Sequence, residues 1–340
     1  MDVFDSNAFT TKSLTDAIEA VPHQPRRIGR LGLFKEEGIP TTSIMVEQKA
    51  GLLTMIPASP RGGVGDTIGE QKRTARAFNC HHLERESVIL ADSIQNLREF
   101  GSENNLAAIE SVVNRRLETL RAMHEVTLEY HRIGAIKGVI LDADGATTLY
   151  NLFTEFGVAQ QTLGMALTTT TTDVRAKCVA AIRLSEAELG GVEFSGMRAF
   201  CGAGFFDALV GHTLVQESLK YQESAMLRVD LRNGFQFGGI TWEEYRGSVG
   251  GVSFVGDTDA YLFPEGPNNT PLVLPNGSYL FSTYFAPADF EEAVNTIGRP
   301  IYAKQAPDPR GLNRSRLIHT QSNPLSLCLV PRAVIKLTKV

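Results

Sequence analysis

The chain has 340 residues, of which 43% are apolar and 21% charged, and a net charge of −5. That length admits two or three domains with a sizeable core, and the composition excludes a disordered chain. It has no run of about 18 apolar residues, so no transmembrane helix is expected, and Met1–Thr11 carries Asp2 and Asp5 instead of the apolar stretch of a secretory signal.

Residues 1–40 are short mixed segments broken by Pro22, Pro25, Gly29, Gly32, Gly38 and Pro40, with Arg26, Arg27 and Arg30 clustered among them. They read as an extended arm with little core of its own. Strand-like stretches over 44–56 lead into Pro57-Ala-Ser-Pro-Arg-Gly-Gly-Val-Gly-Asp66, a density of Pro and Gly that no helix or strand interior tolerates. A polar, basic return over 71–78 and an apolar stretch at 87–90 complete a two-stranded excursion over 41–90. A two-stranded ribbon alone in water is marginal, so this one is expected to lie on something else.

Apolar residues at three- and four-residue steps from Ile109 through Leu117 and Leu120 to Tyr130 predict a helix over 103–133, capped by Ser102 and stopped by Gly134. At about 1.5 Å per residue it spans roughly 45 Å and needs a long surface to lie on. Val139–Phe153 reads as a hairpin turning at Asp144-Gly145. Helices follow over 173–189, ended by Gly190-Gly191, and over 205–222, with a short buried strand at 197–201 between them. From Phe235 onward strands dominate: 235–242, 261–263, 279–285, 301–303, 317–320, 325–330 and 333–337. The class is α+β.

The charge is uneven: zero over 1–90, −4 over 91–199, −8 over 200–298 and +7 over 299–340. Nucleic-acid readers concentrate basic charge on one face; here only the tail is basic. Docking of that tail on acidic surface, of its own chain or a neighbour, is the simpler expectation. Cys80, Cys178, Cys201 and Cys328 are scattered, which suits a reducing compartment and neither a disulfide framework nor a zinc site.

Three constellations could carry chemistry, and each has a blander reading. Cys201-Gly-Ala-Gly-Phe-Phe-Asp207 sits where a phosphate loop would, but Asp207 replaces the third glycine, so a strand-to-helix turn is expected. Asp142-Ala-Asp-Gly145 lacks the later calcium ligands, since Ala146 and Phe153 stand in their places. Cys80-His81-His82 has no second ligand pair nearby. No catalytic, cofactor-binding or metal site is expected.

Several segments, in this order and spacing, carry a family resemblance over nearly the whole chain: Phe9-Thr-Thr, Ser59-Pro-Arg-Gly-Gly63, Lys137–Gly145 running into Leu149–Gly157, Leu189-Gly-Gly-Val192, Gly196–Gly202, Phe205–Leu209, Ala306–Arg310 and Gln321–Pro331. The chain resembles the lambda-type major capsid protein E family of tailed bacteriophages. Asn79-Cys-His-His82 departs from the proline-rich stretch the family often has on its returning ribbon strand.

The resemblance implies the Hong Kong 97-type fold. It implies an N-terminal arm at 1–40, an extended loop at 41–90, a peripheral domain from 91–167 and 300–340 with its spine helix at 103–133, and an axial domain at 168–299. Arm and loop are then expected to touch neighbouring subunits through Arg26, Arg27, Arg30, Pro57, Pro60, Arg61, Gly62, Gly63, Lys72, Arg73 and Arg76. The implied partners are other copies of the chain in pentamers and hexamers, portal, scaffolding and decoration proteins, and packaged DNA by loose contact only. The implied location is the virion head, with assembly in the host cytoplasm. A same-fold bacterial nanocompartment shell and an unrelated soluble α+β enzyme are the alternatives.

Overall fold

The computed structural model describes residues 9–20, 27–49, 73–94, 105–220, 230–249, 251–308, 311 and 314–340. The chain opens with α1 (Thr11–Ala20) and α2 (Arg27–Leu31), followed by β1 (Lys35–Gly38). Leu14 and Ile18, one turn apart on α1, are buried, as are Phe9, Ile28 and Leu31. The expectation of an arm with little core is therefore corrected for these residues. Four-residue spacing gives even a ten-residue helix an apolar face, and that face is seated on the chain's own core.

β2 (Ser43–Lys49) and β3 (Arg73–Asn79) form a two-stranded antiparallel ribbon, with Ser43 opposite Asn79 and Lys49 opposite Arg73. β4 (Leu83–Leu90) leaves the ribbon, and α3 (Ala91–Ile94) follows it. The dominant helix is α4 (Asn105–Lys137), 33 residues and about 50 Å long. It does not stop at Gly134. A Cβ there would meet Ile140 Cα at 2.9 Å, so the glycine permits the close approach of the following strand. The helix ends instead at Gly138, whose φ of +80° is left-handed.

β5 (Val139–Leu141) and β6 (Thr148–Asn151) make the expected hairpin, and Asn151 caps α5 (Leu152–Phe156). Next come β7 (Thr162–Gly164), α6 (Val174–Leu189), β8 (Gly196–Cys201), α7 (Ala203–Gly211) and α8 (Thr213–Lys220). Asp173 caps α6 at its N-terminus and Gly190 at its C-terminus. The helix expected over 205–222 is two, broken at His212, which is buried with Nε2 3.1 Å from the Thr169 carbonyl. The remaining strands are β9 (Phe235–Phe237), β10 (Ile240–Glu244), β11 (Ser248–Val249), β12 (Val252–Ser253), β13 (Asp259–Glu265), β14 (Phe281–Phe285), β15 (Tyr302–Pro307), β16 (Ser315–Ser322), β17 (Pro324–Cys328) and β18 (Ile335–Thr338).

Three sheets organise three cores. The six-stranded sheet runs β7-β18-β13-β8-β10-β9. With α6, α7 and α8 it encloses Met165, Cys178, Phe205, Trp242, Ile335 and Leu337. A second sheet, β1-β14-β17, and the end of α4 surround Phe34, Ile133, Ile136, Ile140, Phe281, Leu325 and Leu327. The third, β15-β16-β4, packs on α1 and the middle of α4 through Ile18, Ile89, Val113, Leu117, Leu120, Ala303 and Ile318.

Sheet membership crosses the expected boundaries at 168 and 299. β7 and β18 lie outside that range yet belong to the six-stranded sheet, while β14 lies inside it and pairs with β1 and β17. The cause is hydrogen-bond pairing between distant strands, which composition does not reveal.

Candidate intersubunit surfaces

The ribbon is fastened to the chain at its root. Phe78 is fully buried against Tyr150 and Phe156. The Asn79 N–H donates to Tyr150 Oη at 2.9 Å, and that hydroxyl donates to the Asn79 carbonyl at 3.2 Å. Away from the root, among the described residues, β2 and β3 pair only with each other. Met45, on β2, is 61% exposed.

β4 is the outer strand of its sheet, with one side of its backbone unpaired among the described strands. Ile89 faces α4 and is buried, whereas Val88 and Leu90 face outward at 51% and 56% exposure. Val294 and Ile297 are likewise exposed. Long apolar side chains beside an open strand edge are a liability in a monomer and a natural pairing surface in an assembly.

Of the residues expected to touch a neighbour, Arg26, Pro57, Pro60, Arg61, Gly62, Gly63 and Lys72 lie outside the described residues. Arg73 and Arg76 lie on β3, opposite Lys49 and Val46. Arg76 is half-buried, and its Nε has no hydrogen-bond partner among the described residues. Arg30 is exposed in the last turn of α2.

Arg27 has a different setting. Its guanidinium pairs with Glu243 through Nε and, at 2.6 Å, through Nη2. Glu243 is buried, accepts a second guanidinium from Arg198 at 2.9 Å, and Arg198 also pairs with Glu265. Beside them Glu129 of α4 accepts the Ile28 amide and the Tyr245 hydroxyl, each at 2.9 Å. Arg27 is thus bound within its own chain. No local motif announces Glu243 as its partner, because 216 residues separate them.

The basic tail finds its acids on the same chain. Arg299 meets Asp16 at 2.9 Å and Glu19 at 3.5 Å, Lys304 meets Glu292 at 2.9 Å, Arg332 meets Glu188 at 2.8 Å and Lys336 meets Asp259 at 2.8 Å. These pairs are partly exposed, so each is worth little in stability, but together they spread the tail's charge over acidic partners.

The three chemical constellations resolve as turns and packing. The carboxylate of Asp257 accepts the Gly204 amide at 2.9 Å, so the chain's own carboxylate occupies the place of a phosphate at the start of α7. Asp144 accepts the amides of Ala146 and Thr147, each at 2.8 Å, and closes the hairpin turn. Its pKa is lowered, first by the Thr147 hydroxyl. His81 packs on aromatic rings, and His82 hydrogen-bonds Asn323. Among the described residues no group of three or more His, Cys, Asp or Glu is placed to hold a metal ion. Burial pushes the thiols up: Cys80 to about 11, Cys178 and Cys328 to about 12, and Cys201 well above its ordinary value.

A long spine helix, a self-paired ribbon, a three-stranded sheet along the helix and a separate six-stranded sheet define a subunit of the Hong Kong 97 type. A prophage protein of Escherichia coli CFT073, assigned as its capsid protein, shares this fold at a TM-score of 0.54 and 13% identity, over 98% of this chain and 99% of that one. The family model for phage major capsid protein E matches residues 10–339, and the chain belongs to that family. It is 30% identical over 351 residues to the major capsid protein of Pseudomonas phage KPP10, covering 97% of each. It is 22% identical to the major capsid protein of Salmonella phage Felix O1, over 88% of each.

Proposed function

We propose that this chain is the major capsid protein of a tailed phage, assembling as pentamers and hexamers into the icosahedral head shell around a double-stranded DNA genome. The observation that carries the proposal is the family match, which runs through every described element. The ribbon and the outer edge of β4 supply surfaces that suit contact between copies. In this reading the chain is structural rather than catalytic.

In this reading the ribbon within 41–90 reaches over a neighbouring subunit, and Arg30, Arg73 and Arg76 contribute to that contact with the charged and glycine-rich residues between 57 and 72. Residues 91–167 with most of 300–340 serve as the peripheral domain, and the six-stranded sheet with α6, α7 and α8 as the axial domain. Portal, scaffolding and decoration proteins are its further partners, and assembly takes place in the host cytoplasm. A net charge of −8 over 200–298 gives DNA little to hold and lets it slide, if that surface faces inward.

The test is electron microscopy of particles from phage-producing cells, with mass spectrometry of their contents. Icosahedral heads containing DNA and built mainly of this chain support the reading. Shells of this chain that enclose an enzyme instead of DNA would make it a nanocompartment subunit.

A further inference from the structure

Three residues, Cys80–His82, connect the ribbon to β4. Their backbone is seated on other parts of the chain. The Cys80 N–H donates to the Thr42 carbonyl at 2.9 Å, and the His81 N–H donates to the Pro324 carbonyl at 3.1 Å. Between these ties the His81 ring lies edge-on to the His131 ring of α4, with centroids 5.3 Å apart, and also 5.3 Å from the ring of Tyr150 on β6.

His131 is fully buried, and among the described residues neither of its ring nitrogens has a hydrogen-bond partner; nor has Nε2 of His81. A neutral imidazole carries one N–H, and among the described residues that of His131 meets no acceptor. A protonated ring there would hold two, together with a charge.

The other titratable groups at the pair come from each neighbouring element. They are Tyr130 from α4, Tyr150 from β6, Cys80 from the connector itself, and Asp142 from the turn after β5. Asp142 is the carboxylate that favours the charged form of both rings. His82 is engaged elsewhere, with Asn323 at 3.1 Å and Glu84 at 3.5 Å.

We propose that His81 and His131 form an acid-sensitive latch at the root of the ribbon. As neutral rings they seat the connector on α4 and β6, and proton uptake by either ring drives the connector, and the ribbon with it, off that seat.

Burial lowers the pKa of both rings, that of His131 to about 4, and it outweighs the opposing pull of Asp142. With the connector released, the rings of His81 and His131 meet solvent and take the ordinary pKa of about 6.5, so the released state binds protons more readily than the seated one. The seated state is therefore fully favoured above about pH 6.5 and progressively less so down to about pH 4. A second proton would add repulsion between two like charges in close contact.

The latch concerns one chain and is tested on free, full-length subunits, so its failure leaves the shell reading untouched. Hydrogen exchange is followed at about pH 7.5 and pH 5.0 and corrected for intrinsic rates. The amides of Asn79, Cys80 and His81 should exchange about tenfold faster at the lower pH, while those of α6 keep their protection. His131→Phe and, separately, His81→Phe should keep the protection seen at the higher pH and lose part of the acid response, and the double change should lose all of it. If His131→Phe does not fold, His81→Phe at its half-buried position decides the matter alone. Wild-type connector amides equally protected at both pH values, or an acid response left undiminished by the His81→Phe change, would overturn the proposal.

Discussion

The guanidinium of Arg27 and the carboxylate of Glu243 join the start of the chain to the six-stranded sheet. Glu243 is buried and also serves Arg198, so one buried carboxylate is shared by two cations. Replacing it with Gln keeps the shape and removes the charge that Arg27 and Arg198 share, while Arg198 keeps Glu265. Glu243→Gln should cost about 1–3 kcal/mol, below the range for a fully buried pair because Arg27 is partly exposed. The urea midpoint of the free subunit reads this directly, and an unchanged midpoint would mean that solvent already screens the network.

Leu120 is 4% exposed in the core shared by α1, α4 and the three-stranded sheet. Leu120→Ala should cost about 2–5 kcal/mol through lost burial and a residual cavity. The expected result is a lower thermal midpoint and a lower yield of soluble subunits. Wild-type subunit stability with a defect only in assembly would make this stripe an intersubunit surface.

His124 is buried on α4 with Nε2 3.1 Å from Thr320 Oγ1, and burial pushes its pKa down to about 4. Its ordinary value when unfolded is about 6.5. The neutral ring therefore contributes stability that is complete above about pH 6.5 and is lost as pH falls towards 4, up to about 3 kcal/mol. Urea denaturation of wild-type and His124→Gln subunits across that range should show the variant losing less stability with acid. Parallel curves would contradict the assignment.

The ribbon differs from these core positions because it pairs only with itself among the described residues. Deleting residues 57–70 should leave a folded subunit with a near-wild-type thermal midpoint that forms no shells. Normal shells from the deletion would remove the ribbon from the assembly interface.

Local features were legible in the sequence because their signals are local. Asp144-Gly145 marked its hairpin, Gly190-Gly191 marked the end of α6, and the three- and four-residue spacing from Ile109 to Tyr130 marked the spine helix. The end of that helix was misplaced because Gly134 serves contact with Ile140 rather than termination. The packing of the helix was not legible. Ile133 and Ile136 share a core with Ile140, Leu325 and Leu327, whereas Leu117 and Leu120 face α1 and the three-stranded sheet. Pairings between distant segments left no trace in composition. β18 joins the six-stranded sheet, Arg27 reaches Glu243, and His81 meets His131 only because the fold closes those loops. The family resemblance reached the fold class where spacing alone could not.

The proposed subunit divides its work between a core-forming spine helix and an interface-forming ribbon. Cryo-electron microscopy of shells assembled from the full-length chain tests that division most directly. It predicts closed icosahedral shells in which Leu117 and Leu120 stay inside their own subunit and the strands Ser43–Lys49 and Arg73–Asn79 extend over a neighbour. A reconstruction with the ribbon folded back on its own chain, or a protein that remains a compact monomer, would contradict it.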